Sequence, residues 1–246
     1  MRKLKLYNFD RSSSLDLNSN KYLVTDMTGF GTNFKLLGEG ASIHDIDLEF
    51  EQITLTINFG IRNNAYNCYK EFMDFIILNG KKKLILSYDY NDAPRFCDLH
   101  LQTAPKTQKT NFNIISETFS FKRLTPWYEN IILTSGINNH TINNIHFVPI
   151  DLIIESNQQT GGMTLYLEKN GIYVSHMVVT FKNGYNLKIN SETKEALFIS
   201  GSTIISAYDN INHAYDSFFE VSNGIHKFID VSGSVSKLSY KKWVAD

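Results

Sequence analysis

The chain has 246 residues and a mass of 28.2 kDa, which allows one large domain or two of ordinary size. Its 24 basic and 25 acidic residues give a net charge of −1, whereas a protein built mainly to bind nucleic acid carries a basic excess. Aromatic residues make up 13% of the chain and there are only 4 prolines, which excludes disordered and linker-like chains.

Cysteine content and apolar segments bear on the compartment. Cys68 and Cys97 are too few for a disulfide-stapled scaffold. The basic start of the chain, Met1–Lys5, is not followed by an apolar core, so no signal peptide is predicted. No stretch approaches the roughly 18 apolar residues of a membrane helix. We therefore expect a protein that is made and soluble in the cytoplasm and does not associate with membranes.

Alternation of apolar and polar residues with a period of two dominates the first half and predicts half-buried strands. These strands are predicted at Leu4–Leu6, Ile46–Phe50, Ile53–Phe59, Leu84–Tyr88, Phe96–Leu101 and Phe112–Phe121. The apolar parity changes between Phe50 and Ile53. Since a one-residue slip would turn every side chain over, a bulge or break is expected near Glu51 and Gln52.

One segment departs from this alternation and predicts an amphipathic helix at about residues 64–79. Its apolar positions, three or four residues apart, are Ala65, Tyr66, Tyr69, Phe72, Met73, Ile76 and Ile77. Asn63 or Asn64 can cap the start, and Asn79-Gly80 can end the helix. Lys81–Lys83 then follow at the negative end of the helix dipole. Cys68 is expected to lie off the apolar stripe.

The second half is predicted to be entirely β. Strands are predicted at Ile150–Ile154, Met163–Leu167, Ile172–Phe181, Tyr185–Ile189, Phe198–Ile199, Ile204–Ile205, Phe218–Val221, Phe228–Val231 and Leu238–Tyr240. Asn170-Gly171 and Asn183-Gly184 are typical of hairpin turns. Short strands separated by turns favour a sandwich or barrel. A boundary near Pro126, which forces an extended backbone, predicts domains at residues 1–130 and 131–246.

No motif in the sequence predicts catalysis, a cofactor or a metal. The Gly-x-Ser-x-Gly, Gly-rich phosphate-loop and His-Glu-x-x-His patterns are absent, and the seven histidines are scattered singly. Asp45, Asp47, Glu49 and Glu51 place four carboxylates on one strand face, but neighbours on that face are about 6.6 Å apart, a ladder rather than a cage for Ca²⁺. A solvated face or a charge stripe between subunits is favoured. Two classes of function remain: a non-enzymatic binding module and a structural subunit of an assembly.

The order and spacing of several segments resemble a known family. In the first half these are Tyr7–Asp10, Ile53–Phe59, the helix Tyr69–Leu78 followed at once by Lys83–Tyr88, then Arg95–Leu101 and Glu117–Leu124, which runs into a Pro-Trp-Tyr exit within Thr125–Glu129. In the second half they are Asn186–Glu192, Phe218–Phe228 and Lys237–Trp243, although Val221 and His226 depart from the commonest residues. The chain thus resembles the siphophage distal tail proteins, often called Dit, of the phage tail-component family.

The resemblance implies a fold and a function. It implies a ring-forming N-terminal β-sandwich-like domain with one helix and a hairpin arm that laps the neighbouring subunit. It implies a C-terminal galectin-like, jelly-roll β-sandwich. Such proteins form a homohexameric ring at the tail tip or baseplate, between the tail tube and the host-adsorption proteins, and DNA passes through the lumen without specific binding. No enzymatic activity and no cofactor are implied.

The resemblance also implies partners and a location. The partners are the tail tube protein, the tail-tip hub or tail-associated lysin protein, and receptor-binding proteins. The location is the virion tail tip, after assembly in the cytoplasm of the bacterial host. A near-neutral chain suits this role, because a basic lumen would add affinity for DNA through counterion release.

Two hypotheses about particular residues remain. The first assigns Pro126, Trp127 and Tyr128 to the interdomain joint, since aromatic side chains supply large buried areas; the alternative is that they are ordinary core residues of the first domain. The rival function is binding of host cell-wall polysaccharide by the second half. Its stacking platform would be Trp243, Tyr166, Tyr173 or Tyr185.

Overall fold

The structure is a computed structural model that describes residues 3–37, 45–60, 64–79, 83–90, 93–105, 115–214 and 218–244. For residues 32–37, 45–49, 90 and 93 it describes the backbone alone. In the residues that the structure describes, the fold is mainly β with one α-helix, as predicted, and the paired strands run antiparallel. By contacts it divides into two compact units: the first extends to Tyr128, and the second spans Glu129–Val244.

Among its described residues, the first unit contains nine strands and the helix. They are β1 (Lys3–Tyr7), β2 (Ser14–Asp16), β3 (Tyr22–Thr28), β4 (Thr32–Leu37), β5 (Asp45–Phe50), β6 (Ile53–Phe59), α1 (Ala65–Asn79), β7 (Leu84–Tyr90), β8 (Ala93–Thr103) and β9 (Ile115–Arg123). The main sheet has the order β3-β6-β9-β8-β7-β1-β2. β4 and β5 pair with each other as a two-stranded hairpin.

β6 lies inside the main sheet and shows why the period of two predicts it. Ile53, Leu55, Ile57 and Phe59 are all fully buried, while the residues between them are half-buried. The expected break at Glu51 and Gln52 is confirmed, because β5 ends at Phe50, β6 begins at Ile53, and the two strands belong to different sheets.

The helix α1 covers the β6 and β9 side of the sheet. At its start the Asn64 side-chain oxygen accepts a hydrogen bond from the Asn67 backbone N–H at 3.3 Å, which confirms one of the two predicted caps. The Phe72 ring lies 5.4 Å from that of Phe59 and 4.8 Å from that of Phe119, between ring centroids. This aromatic cluster fixes the helix on the sheet.

The prediction that Cys68 lies off the apolar stripe is wrong. The buried residues of α1 are Ala65, Cys68, Tyr69, Phe72, Phe75 and Ile76. Cys68 belongs to this face because it lies three residues after Ala65 and four before Phe72. Ile77, which was predicted to be apolar and inward, is 64% exposed. Asn63, Gly80, Lys81, Lys82 and residues 112–114 lie outside the described residues, so those predictions stay untested.

We predict that Phe72→Ala lowers the free energy of unfolding by about 3–5 kcal/mol, because a fully buried ring is lost and a cavity remains. Chemical denaturation followed by fluorescence measures the change. The matched control is Ile77→Ala on the exposed side of the same helix, for which we expect less than about 0.5 kcal/mol. Equal losses for both variants would contradict the packing described here.

The second unit contains the remaining strands. They are β10 (Tyr128–Leu133), β11 (His140–Asn144), β12 (Ile150–Ser156), β13 (Gly162–Lys169), β14 (Ile172–Thr180), β15 (Asn186–Asn190), β16 (Glu195–Ser200), β17 (Thr203–Ser206), β18 (Glu220–Val221), β19 (Gly224–Asp230) and β20 (Lys237–Trp243). One sheet has the order β17-β16-β15-β12-β20-β10, with β18 paired to β12, and the other has the order β11-β19-β13-β14. Their buried faces form a β-sandwich, and the His140 Nε2 atom of one sheet lies 3.0 Å from the Tyr240 hydroxyl oxygen of the other.

The two Asn-Gly pairs of this unit form different kinds of turn. Asn170 and Gly171 both adopt a positive φ (54° and 79°), the geometry of a type I′ turn, and join the paired strands β13 and β14. At Asn183-Gly184 only the glycine has a positive φ, 82°. The hairpin predicted there is wrong: β14 pairs with β13 whereas β15 pairs with β12 and β16, so this turn carries the chain from one sheet to the other.

The histidine His226 is almost completely buried in β19, and its Nε2 atom lies 3.2 Å from the Ser222 hydroxyl oxygen. Burial, and to a lesser degree the Lys169 cation, lowers the pKa of His226 below 6.5, while the Gly224 carbonyl opposes this shift. The folded state therefore favours the neutral ring. The stability that this contributes is fully present above the unfolded pKa and is lost as the pH falls from there through the lower folded pKa.

We predict that the unfolding temperature of the protein falls between pH 7.5 and pH 5.5 and that His226→Gln, which cannot titrate, reduces this fall. Differential scanning calorimetry at the two pH values measures it. A pH dependence that His226→Gln leaves unchanged would show that this imidazole is not a source of the effect.

Candidate functional site

The β4–β5 hairpin leaves and rejoins the main sheet at one place. β3 ends at Thr28 and β6 begins at Ile53, and the two strands pair, with Thr28 close to its partner Thr54. The chain must therefore leave and return side by side. We call residues 29–31 and 50–52 the hairpin root.

The two limbs of the hairpin root are bonded to each other. The Glu51 backbone N–H donates to the Gly31 carbonyl at 3.4 Å, and the Gly31 N–H donates to Glu51 Oε2 at 3.2 Å. Gly29 has a φ of 87°, and a Cβ atom there would lie 1.8 Å from the Gln52 carbonyl oxygen. The root therefore requires glycine at position 29, for its backbone conformation and for its lack of a side chain.

The Phe30 carbonyl oxygen is the point at which the hairpin root is bound to the rest of the unit. It accepts hydrogen bonds from Arg123 Nη1 at 2.6 Å and from Trp127 Nε1 at 3.2 Å. A carbonyl oxygen has two lone pairs, and both are used here. Both donors come from residues 123–128, which we call the exit segment because the second unit follows it in the chain.

Aromatic packing reinforces this attachment. The Phe30 ring is stacked on Trp127, with centroids 5.3 Å apart and planes 8° apart, and Tyr88 packs beside it at 5.7 Å. The Arg123 guanidinium carbon lies 4.7 Å from the centroid of the Phe50 ring, within the range of a cation–π interaction. Arg123 is only 1% exposed, so these contacts offset part of the cost of burying its charge.

A second cluster binds the exit segment to β8 through Asp98. The Tyr128 hydroxyl donates to Asp98 Oδ1 at 2.7 Å, and the Asp98 N–H donates to the Thr125 hydroxyl at 3.0 Å. The Leu124 N–H donates to the Asp98 carbonyl at 2.8 Å, and Lys83 Nζ lies 3.6 Å from Asp98 Oδ2. Burial and the Asp98 carboxylate raise the pKa of Tyr128 far above its usual range, so the hydroxyl stays protonated and remains a donor.

The residues that the sequence assigned to an interdomain joint therefore have defined contacts in the first unit. Pro126, Trp127 and Tyr128 are all buried, and Trp127 and Tyr128 pack on Phe30 and Phe96 respectively. These contacts support their alternative reading as core residues of the first domain, and the joint stays a prediction. Sequence reasoning missed Arg123, which resembles a solvent-facing base at a strand end. The Gly-Phe-Gly at residues 29–31 was the available signal of a tight backbone turn.

The four aromatic residues considered for a sugar platform have different environments. Trp243 is buried and donates its indole N–H to the carbonyl oxygens of Val148 at 2.9 Å and Pro149 at 3.2 Å, so its assignment as a stacking surface is wrong. Tyr185 is half-buried. Tyr166 stacks on Tyr173 at 4.5 Å, and Tyr173 is 60% exposed.

Other chemistry finds little support in the described part of the chain. Among the residues that the structure describes there is no cluster of three or more His, Cys, Asp or Glu side chains suited to a metal ion. The side chains of Asp45, Asp47 and Glu49 lie outside the described set. None of the described helices has the length and apolar character needed to cross a membrane.

Comparison with known proteins agrees with this architecture. Residues 3–124 match the family model of the distal tail protein N-terminal domain. A chain of the phage P2 baseplate in its activated conformation with Ca has 14% identity and a TM-score of 0.74, with 99% of each chain covered. The same baseplate with Sr gives 15% identity and a TM-score of 0.72, covering 98% of this chain and 97% of that chain.

A third structure, the Dit protein of phage SPP1, has 9% identity and a TM-score of 0.58, covering 97% of this chain and 98% of that one. No curated protein matches the chain. The first unit is thus a tail-component domain of a tailed phage. The chain belongs to the family of phage distal tail proteins.

We predict that Gly29→Ala destabilises the protein more than Gly161→Ala. Both glycines have a φ of 87°, but nothing lies within 4 Å of a Cβ at Gly161, whereas a Cβ at Gly29 meets backbone. The control should cost about 1–2 kcal/mol for its backbone conformation, and Gly29→Ala should cost more because the root must also separate. Thermal denaturation of both variants tests this, and equal losses would contradict the close approach.

Proposed function

We propose that this distal tail protein is the structural hub of the tail tip of a long-tailed phage, a siphovirus. In this proposal it forms a homohexameric ring that joins the tail tube to the tail-tip and host-adsorption proteins. The observation that carries the proposal is the β4–β5 hairpin, a two-stranded element. Its root is attached to the first unit by the hydrogen bonds from Arg123 and Trp127 to the Phe30 carbonyl. The likeness to a phage baseplate chain over 99% of both lengths supports it.

The β4–β5 hairpin has a physical reason to bind a neighbouring subunit. A two-stranded hairpin is marginally stable in water on its own, so a neighbouring surface that covers it would stabilise it. A closed ring requires a heterologous contact, in which one patch of each subunit binds a different patch of the next. A hairpin arm that laps the neighbouring subunit satisfies both requirements.

The remaining parts of the proposal follow from charge and family. A net charge of −1 suits a lumen through which DNA passes without specific binding. The partners would be the tail tube protein, the tail-tip hub or tail-associated lysin protein, and receptor-binding proteins. The second unit would be the galectin-like domain, and Pro126 to Tyr128 would anchor the joint. The role is structural rather than catalytic.

We predict that the purified protein has a mass in solution of six times 28.2 kDa, measured by light scattering or native mass spectrometry. A variant in which a Gly-Gly-Ser turn replaces residues 33–49 should stay folded and become monomeric, because the proposed arm is removed. A wild-type protein that remains monomeric at about 100 μM would contradict the ring. A hexameric deletion variant would contradict the role of the hairpin.

The second candidate function, binding of host cell-wall polysaccharide, is favoured by one observation, the exposed Tyr173 ring stacked on Tyr166. Under the hub proposal we expect no saturable heat when cell-wall polysaccharide is titrated into the protein. Saturable binding that Tyr173→Ala abolishes, with Tyr208→Ala as a control at another exposed ring, would establish the second function instead.

A further inference from the structure

We propose that Arg123 and Trp127 are positioning residues for ring assembly: their hydrogen bonds to the Phe30 carbonyl hold the β4–β5 hairpin in the direction that ring closure requires. The inference rests on the proposed hexamer and deepens it, because it assigns control of the arm to two buried side chains outside the arm. It makes the exit segment, rather than the hairpin alone, a determinant of assembly.

The length of the hairpin amplifies any tilt at its root. β4 has six residues, so the hairpin extends about 20 Å from its root at about 3.3 Å per residue. A tilt of about 10° at the root would move the far end by about 3.5 Å. Because neighbouring strands lie about 4.8 Å apart, such a shift would disrupt pairing or packing with a neighbouring subunit. The arm can therefore bind its neighbour only if the root is held firmly.

The hairpin root is held by directional hydrogen bonds. The stacking of Phe30 on Trp127 supplies contact area, but parallel rings can slide over each other at little cost. The Arg123 and Trp127 N–H groups approach one carbonyl oxygen at 2.6 and 3.2 Å and so fix the orientation of the Phe30 peptide. The bonds within the root join its two limbs to each other, whereas these two bonds join the root to the exit segment.

The effects on stability and on positioning can be separated by experiment, because the chain has a matched pair of tryptophans. Trp127 and Trp243 are the two tryptophans of the sequence, 4% and 6% exposed. Both donate their indole N–H to backbone carbonyl oxygens, Trp127 to Phe30 and Trp243 to Val148 and Pro149. Replacement by Phe removes the same donor and keeps an aromatic ring at each site. Only the Trp127 variant alters the hairpin root.

The experiment compares Trp127→Phe with Trp243→Phe in the full chain. We expect similar falls in unfolding temperature, since each loses a buried donor of the same kind. The subunit dissociation constant of the ring, measured by sedimentation velocity over a dilution series, should rise about tenfold or more for Trp127→Phe and stay unchanged for Trp243→Phe. Hydrogen–deuterium exchange of the β4 and β5 amides should accelerate in the same variant only.

Arg123→Lys provides an independent test, because it retains the charge but loses the planar group that reaches Phe30 and covers Phe50. It should raise the dissociation constant and the β4–β5 exchange rates as Trp127→Phe does. If both variants assemble and exchange as the Trp243→Phe control does, the positioning role is overturned while the ring stands.

Failure of the ring proposal would give a different result from failure of the positioning role. If the wild-type protein does not form a hexamer, the proposed function fails, and the exchange of β4 and β5 in the monomer still tests the positioning by Arg123 and Trp127. Should Trp127→Phe fail to fold, the comparison of Arg123→Lys with Trp243→Phe decides, and unchanged exchange in Arg123→Lys overturns the inference.

Discussion

The carbonyl oxygen of Phe30, bound by Arg123 and Trp127, is the interaction on which the functional architecture of the first unit depends. It lies where the paired strands β3 and β6 release a two-stranded hairpin that the main sheet does not contain. Without a fixed root, this hairpin would have little to define its direction, since two strands alone are marginally stable. The two donors give this hairpin a defined point of attachment.

Other contacts in the first unit hold the elements around that interaction in place. The aromatic cluster of Phe59, Phe72 and Phe119 holds α1 against the sheet. Asp98 in β8 fixes Leu124 and Tyr128 on either side of the tryptophan, so Trp127 reaches Phe30 from a segment that is itself bound at both ends. The guanidinium of Arg123 is buried, and its hydrogen bond to Phe30 and its contact with the Phe50 ring offset part of the cost of burying the charge.

The sequence predicts the elements that have regular periodicity and misses those without it. β6 and α1 are found because their buried residues recur every two, or every three to four, positions. β3 was not predicted, because a register shift between Val24 and Asp26 breaks its alternation and only Tyr22 is buried. β2, β4, β10 and β11 were missed for want of a similar signal. Within α1 the periodicity predicted the helix but not every residue of its buried face, since Cys68 is buried.

The candidate site was hidden for a different reason. Phe30 and Arg123 are 93 residues apart, and a lone arginine at the end of a strand carries no local sign that its partner is a distant carbonyl. The sequence singled out Trp127 and Tyr128 as anchors of an interdomain joint, which stays a prediction, and their partners in the first unit could not be inferred from spacing. Hydrogen bonds between segments that are distant in the chain depend on the tertiary fold, which periodicity does not encode.

The most direct test of the account is a photo-crosslinking measurement on the arm. A photoreactive amino acid placed at position 47 of β5, in a mixture of ¹⁴N- and ¹⁵N-labelled protein, shows by mass spectrometry whether the hairpin contacts its own chain or another copy. The account predicts mixed-isotope crosslinks that join the arm to the first unit of a second copy. Crosslinks confined to single chains would contradict it.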